Sequence, residues 1–203
     1  MTKTVFPPAI KSRPIYGTLS PRPGTAQLFV ADDEGAEAIF DLAKSAPDGF
    51  FADAHIIFIA KRSGETYLAR LQALQAPQLL VSPSFAAASP RLRHTLSNAH
   101  MGLQLSLAGT EGLIGQAMQA AIEAGIPYAS IQTEHRGATR RRVQCVHCKG
   151  ITDDVTHDPF PCGHCGLHLF VRDHYSRRIA AFQGVRVDAE DPGNVPSPVE
   201  RFT

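Results

Sequence analysis

The sequence predicts an α/β domain on a mainly parallel sheet, followed by a small β domain organised around four cysteines. Three observations predict it. Between Thr25 and Glu134, short apolar runs alternate with longer amphipathic ones, the pattern of strands joined by crossover helices. All four cysteines lie in one stretch, from Cys145 to Cys165. Prolines gather near both ends of the chain, where neither helix nor central strand is expected.

Residues 1–24 hold Pro7, Pro8, Pro14, Pro21 and Pro23 and read as an extended arm. The α/β domain then occupies 25–135, with strands expected at 26–31, 55–60, 78–81, 103–108 and 129–132. The second and third are nearly unbroken apolar runs, as strands buried on both faces should be. Helices are expected at 34–44, 65–75, 90–99 and 111–124. In the last helix, Leu113, Ile114, Ala117, Met118, Ala121 and Ile122 form an apolar stripe at helical spacing, closed by Gly125. Such a stripe belongs to a core. Residues 136–142 read as a hinge into the four-cysteine domain, 136–188, whose ribbon strands are expected at 167–171 and 178–187. The tail, 189–203, reads as extended or disordered.

Cys145-Val146-His147-Cys148 and Cys162-Gly163-His164-Cys165 are two C-x2-C pairs separated by thirteen residues. At this spacing two tight knuckles bring four thiolates to one tetrahedral metal ion. Each knuckle needs a positive-φ residue just after its second cysteine, which Gly150 and Gly166 are placed to supply. Two disulfides or inert core cysteines are the competing readings. Zinc and iron both accept four thiolates, and a rubredoxin-like iron centre would carry electrons where zinc cannot. The loop 149–161 favours zinc, because Phe160 is its single aromatic residue. His147 and His164 are possible further ligands, but four thiolates already fill the shell.

Composition narrows the function class. The chain has 203 residues, 43% hydrophobic and 19% charged, with a formal net charge of +1. No apolar run approaches the ~20 residues of a membrane span. The N-terminus lacks a signal-peptide core. Clustered thiols suit a reducing compartment, so a cytoplasmic location is expected. From His135 to Asp188, nine Lys and Arg stand against five Asp, so this end is mildly basic. That excess is modest for nucleic-acid binding, and few aromatic residues accompany it.

Catalytic and cofactor motifs are scarce. A Rossmann-type site needs glycines after its first strand, where a pyrophosphate meets a helix N-terminus. Here Asp32-Asp33-Glu34 follow the first strand, and like charge opposes a phosphate. Gly109-Thr110-Glu111-Gly112 is a weak glycine signal, and no G-x-G-x-x-G, P-loop or G-x-S-x-G occurs. Ser106 and Ser130 have no recognisable base at a diagnostic spacing. Glu134-His135 and Asp173-His174-Tyr175 read as polar surface residues.

Two stretches resemble the NAD-binding module of flavin-dependent ferredoxin reductases. Residues 60–71, Ala60-Lys61-Arg62-Ser63-Gly64 onward, resemble that module's second-strand exit. Residues 102–114 resemble its later strand, with Ala108 and Thr110 where the family has cysteine and proline. The resemblance implies a retained fold with a lost cofactor site. The cysteine segment, followed by Leu169-Phe170-Val171-Arg172-Asp173-His174-Tyr175-Ser176-Arg177-Arg178 and Phe182-Gln183-Gly184, is similar to the DmmA-like small subunits of dimethylamine monooxygenase. In these a zinc-ribbon-like segment follows a reductase-like domain. The similarity covers roughly residues 25 to 190.

The resemblance implies a non-catalytic subunit of a complex that oxidatively demethylates dimethylamine to methylamine and formaldehyde with O2 and NAD(P)H. Its role would be assembly or inter-subunit routing. Haem, FMN and iron–sulfur centres would lie on partner subunits, with zinc, or iron in its place, held here by Cys145, Cys148, Cys162 and Cys165. The basic end, with Arg172, Arg177, Arg178 and the Arg140–Arg142 run, is the expected contact with an acidic partner. The alternatives are a rubredoxin-like iron electron carrier and a basic zinc-ribbon nucleic-acid-binding protein.

Overall fold

A computed structural model describes residues 13–60 and 64–203. The expected arm 1–12 and the turn 61–63 lie outside the described residues. The chain divides into two compact units, Tyr16–Thr139 and Arg140–Thr203, the latter with residues 13–15.

The first unit alternates strand and helix: β1 (Ala26–Asp32), α1 (Gly35–Ala43), β2 (Ala54–Ile59), α2 (Gly64–Ala73), β3 (Gln78–Ser82), α3 (Phe85–Ser97), β4 (Leu103–Gly109), α4 (Glu111–Glu123) and β5 (Ile131–His135). The sheet has the order β3-β2-β1-β4-β5, and every pair is parallel. The order reverses between β1 and β4. One face carries α1 and α2 over Phe29, Ile56 and Phe58. The other carries α3 and α4 over Leu28, Ile57 and Leu105. These apolar runs therefore have a helix layer on both sides, which is what a parallel sheet requires.

Four local expectations are corrected. β3 is an edge strand with Val81 41% exposed, so its apolar run is not buried on both faces. α3 begins five residues before Pro90, because the Ser84 hydroxyl caps it by accepting from Ala87 N at 3.2 Å. β5 starts at Ile131, because Pro127 opens a 3-10 turn over Tyr128–Ser130. Ile122, expected in the stripe of α4, is 41% exposed, and Ala120 takes the buried position.

The described part of the N-terminal arm is not free. Gly17 N donates to Thr133 O, and Ser20 exchanges hydrogen bonds with the Gln132 side chain. Leu19 is buried, and its N–H donates to Glu134 Oε2 at 2.7 Å. The arm thereby covers the β5 edge, a standard protection for an open strand. No helix among the described residues is long and apolar enough to cross a membrane.

The second unit is a β domain: β6 (Arg141–Cys145), β7 (Ile151–Val155), β8 (His157–Asp158), β9 (Phe160–Pro161), β10 (His168–Ser176), β11 (Ala181–Arg186) and β12 (Val199–Glu200). Its main sheet has the order β7-β6-β11-β10-β9. The expected hinge at 141–142 is strand β6, and it pairs with β7 and β11. The tail is also ordered at its end. β12 pairs with β8, and Phe202 joins the core of Val143, Leu169 and Phe182.

Candidate metal centre

The two cysteine pairs fold into equivalent knuckles. Lys149 N donates to Cys145 O at 2.9 Å, and Gly166 N donates to Cys162 O at 3.0 Å. Cys145 N donates to Gly150 O, and Cys162 N donates to Leu167 O, both at 2.9 Å. The same backbone path serves each pair. Positive φ falls on Gly166 (75°) as expected, but in the first knuckle it falls on Lys149 (63°). Gly150 is needed for a different reason: a Cβ there would lie 2.4 Å from Cγ of the His164 ring.

The four sulfurs lie within 4.8 Å of one another. Cys145 Sγ is 3.9 Å from Cys165 Sγ, and Cys148 Sγ is 3.8 Å from Cys162 Sγ. A metal bonded to sulfur at about 2.3 Å in a tetrahedron sets an S···S edge of about 3.8 Å. A disulfide needs about 2.05 Å, so the thiols are free. The donor set fits a four-thiolate metal, and zinc and ferric or ferrous iron share this geometry. Cys145 and Cys162 are buried while Cys148 is exposed, so the site opens to solvent on one side. His164 Nε2 donates to Ile151 O at 2.8 Å, so that ring braces the loop between the knuckles.

The thiols pull in opposite directions. Burial raises Cys162, but the N–H groups of Cys165 and His164 and the neighbouring sulfurs outweigh it and lower the thiol to about 6. Cys165 keeps a stabilising Leu167 N–H, yet burial and the sulfurs of Cys148, Cys162 and Cys145 push it up to about 12. One thiolate takes the backbone donors, and its charge opposes a second beside it. A bound divalent cation removes that repulsion and deprotonates coordinating thiols outright.

Charges near the ribbon are arranged differently from the expected basic surface. Arg141 is buried, with its guanidinium 4.0 Å from the Phe182 ring centroid and 4.3 Å from that of Phe202. Its Nη2 lies 2.7 Å from Asp173 Oδ1, which also meets Arg13 at 3.0 Å. Asp173 is thus a structural anion within β10 and not a solvated turn. Arg142 faces Asp153 at 3.6 Å. Arg172, Arg177 and Arg178 are exposed, the last two in the β10–β11 turn, and among the described residues no carboxylate lies within ion-pair distance of them.

A buried carboxylate stands at the sheet's reversal point. Asp32, at the end of β1, is 1% exposed. Its carboxylate accepts from Thr110 Oγ1 at 2.6 Å and from Thr110 N at 3.3 Å, at the N-terminus of α4. Gly109 has φ 129°, and a Cβ on it would lie 1.8 Å from Asp32 Oδ1. A Cβ on Gly35 would lie 2.2 Å from Ala108 O, so α1 begins pressed against β4. In open α/β sheets this is where ligands enter. Sequence reasoning located the carboxylates there, but not that Asp32 and Asp33 are both buried, Asp32 against Thr110. Glu134, expected at the surface, is 5% exposed and joins Arg136 Nε at 2.7 Å with the arm's Leu19 N–H. Ser106 is buried within β4.

Comparison with known proteins follows the same division. Residues 8–131 match the N-terminal domain, and residues 142–185 the C-terminal domain, of the family described as dimethylamine monooxygenase subunit DmmA-like. The heme-dependent oxidative N-demethylase delta subunit of Ectopseudomonas mendocina (strain ymp) is 34% identical over 110 residues, which is 54% of this chain and 63% of that protein. The chain thus spans less than two thirds of the length of this relative.

Proposed function

Because the chain belongs to the dimethylamine monooxygenase subunit DmmA-like family, we propose that it is a non-catalytic subunit of a multi-subunit amine monooxygenase. The complex would use O2 and NAD(P)H to demethylate dimethylamine to methylamine and formaldehyde. Haem, FMN and iron–sulfur centres would reside on its partners, in the cytoplasm. This chain would serve assembly, or the routing of electrons or intermediates between larger subunits.

One observation carries this reading. Asp32 occupies the N-terminus of α4, so the place where a reductase-like domain would receive an anionic dinucleotide holds the chain's own carboxylate. A chain built this way relies on other subunits for its electrons. Zinc at Cys145, Cys148, Cys162 and Cys165 would hold the ribbon, because four thiolates leave no open coordination position for substrate. Arg172, Arg177 and Arg178 supply exposed positive charge for an acidic partner.

The test is purification from the native host, with metal analysis by mass spectrometry, an absorption spectrum and identification of co-purifying chains. One zinc per chain and co-purifying haem and flavin subunits are expected. The sulfur edges suit iron equally, so iron with visible absorption bands would instead make this chain an electron carrier.

A further inference from the structure

The two five-stranded sheets end on β3, β5, β7 and β9, and three of these edges carry a protective device. The arm covers β5. Asp153 and Asp154 are exposed on β7. β9 is two residues long and ends on Pro161. β3 has none of these. It is Gln78-Leu79-Leu80-Val81-Ser82, and among the described residues no strand pairs with its outer edge. It also lies within residues 71–90, the longest run of this chain without a charged residue or histidine. An exposed, uncharged edge strand is a template for another strand.

The backbone directions along β3 follow from one hydrogen bond. Ala60 N donates to Ser82 O at 2.9 Å, so Ser82 turns its backbone groups toward β2. Direction alternates along a strand, so Gln78 and Leu80 do the same, while Leu79 and Val81 aim N–H and C=O outward. Pro77 and Pro83, which have no N–H, stand at bends immediately outside the strand. The free edge therefore offers two donors and two acceptors, with proline on either side.

We propose that β3 pairs antiparallel with β3 of a second copy of this chain, about a two-fold axis beside Leu80. Leu79 then exchanges both backbone hydrogen bonds with the partner's Val81, and Val81 does so with the partner's Leu79. Every outward group is satisfied. Moving the axis to Leu79 or to Val81 sets Pro77 or Pro83 opposite an outward carbonyl, which loses its donor. The side chains agree with this register. Leu79 packs with the core under α1 and α2, where it meets the 41% exposed Val81 of the second copy. Leu80 packs with the core under α3 and α4, where it meets its own counterpart.

Charge identifies the occupant as a second copy. A two-fold axis brings each residue beside it onto itself, so a charged group there would oppose its own kind. The uncharged run removes that conflict. Arg91 is held at the Gln78 end of the strand, its Nη2 donating to Gln78 Oε1 at 2.6 Å. Antiparallel pairing sets Gln78 opposite the partner's Ser82, so the two arginines sit four residue steps apart, roughly 13 Å along the ribbon. The uncharged run of twenty residues also matches the roughly 20 residues per partner of a standard interface.

The test combines sedimentation equilibrium of the full chain with amide exchange read by NMR, on the wild type and on Val81→Lys. Lysine is a natural edge protector, and position 81 is exposed enough to hold it in the monomer. Expected are a wild-type dimer and slow exchange at the Leu79 and Val81 amides. In Val81→Lys the dimer dissociation constant should rise at least about tenfold, with fast exchange at Leu79. A wild-type monomer, or a dimer whose two amides exchange freely, overturns the pairing, and this measurement does not depend on how the variant folds. A dimer left intact by Val81→Lys overturns it as well. Native mass spectrometry of the complex from its host counts the copies: a single copy with both amides protected assigns the edge to another subunit and overturns self-pairing.

Discussion

Asp32 and Thr110 meet at the reversal point of the sheet: the buried carboxylate accepts the threonine hydroxyl at 2.6 Å and the backbone N–H at 3.3 Å. A negative group at a helix N-terminus is favoured by the helix dipole as well as by these donors. Asp32→Ala leaves the two part-buried Thr110 donors without this acceptor, and the expected cost is about 1–3 kcal/mol in the melting of the α/β unit. The wild-type chain should show no NADH binding by fluorescence titration. Retention of NADH by the wild type would contradict this role of Asp32.

Cys145→Ser and Cys162→Ser should each abolish stoichiometric metal and make the ribbon sensitive to protease. Metal binding is a large share of a small ribbon's folding free energy. A ribbon that stays protease-resistant after chelation would refute a structural metal.

The two residues that follow Cys148 are expected to differ in kind. Gly150→Ala drives a Cβ into the His164 ring, so it should speed zinc loss to a chelator several-fold. Lys149→Gly relieves a positive φ and should be neutral or stabilising, since glycine adopts φ near 63° without strain. Equal metal-release rates in both variants would remove the assigned role of Gly150.

Deleting residues 199–203 removes β12, the Arg201–Asp158 ion pair at 3.0 Å and the Phe202 ring over Arg141. Burial leads the influences that hold the Asp158 carboxyl above its usual range, and losing Arg201 strips that buried group of its charged partner. The ribbon should melt earlier. Arg141→Ala removes the buried guanidinium from Asp173, which keeps Arg13 at 3.0 Å, and a loss of about 1.5–3 kcal/mol is expected for a charged hydrogen bond of this kind. Thermal melts of the metal-loaded chain measure both effects.

His55 provides a pH dependence with a defined sign. Burial, reinforced by Arg91, lowers its pKa below 6.5. The unfolded chain therefore binds the proton more readily, and the stability contribution is complete above 6.5. It is lost progressively as pH falls from 6.5 toward the lower folded value. Denaturant midpoints of the wild type should fall between pH 7 and pH 5 more than those of His55→Gln. Parallel curves would show that another group governs the slope.

Charge reversal at Arg177 and Arg178 should weaken co-purification of the partner subunits while the melting curve holds. Both side chains are exposed in a turn, so the fold does not depend on them. Unchanged co-purification would eliminate this turn as an interface.

Much of the architecture was written in local patterns. Apolar runs such as 56–59 and the stripe of α4 mark elements by periodicity, which neighbouring residues alone decide. The cysteine spacing likewise announced four converging sulfurs, because a C-x2-C knuckle is a local object. Cys145, Cys148, Cys162 and Cys165 could be named as a cluster without coordinates. Strand β6 could not: Arg141 and Arg142 read as hinge residues until pairing with β7 and β11 gave their backbone groups partners.

Three properties were decided by tertiary structure alone. Whether a charged residue faces water depends on what returns to it from far along the chain. Arg141 is buried because Phe182, Phe202 and Asp173 converge on it, and Glu134 because Leu19 and Arg136 do. Asp32 gained its partner only when β4 and α4 were laid beside β1, putting Thr110 within reach. Periodicity is a property of neighbours in sequence and can be read directly. Burial of a charge is a sum over neighbours in space, and only the folded chain brings them together.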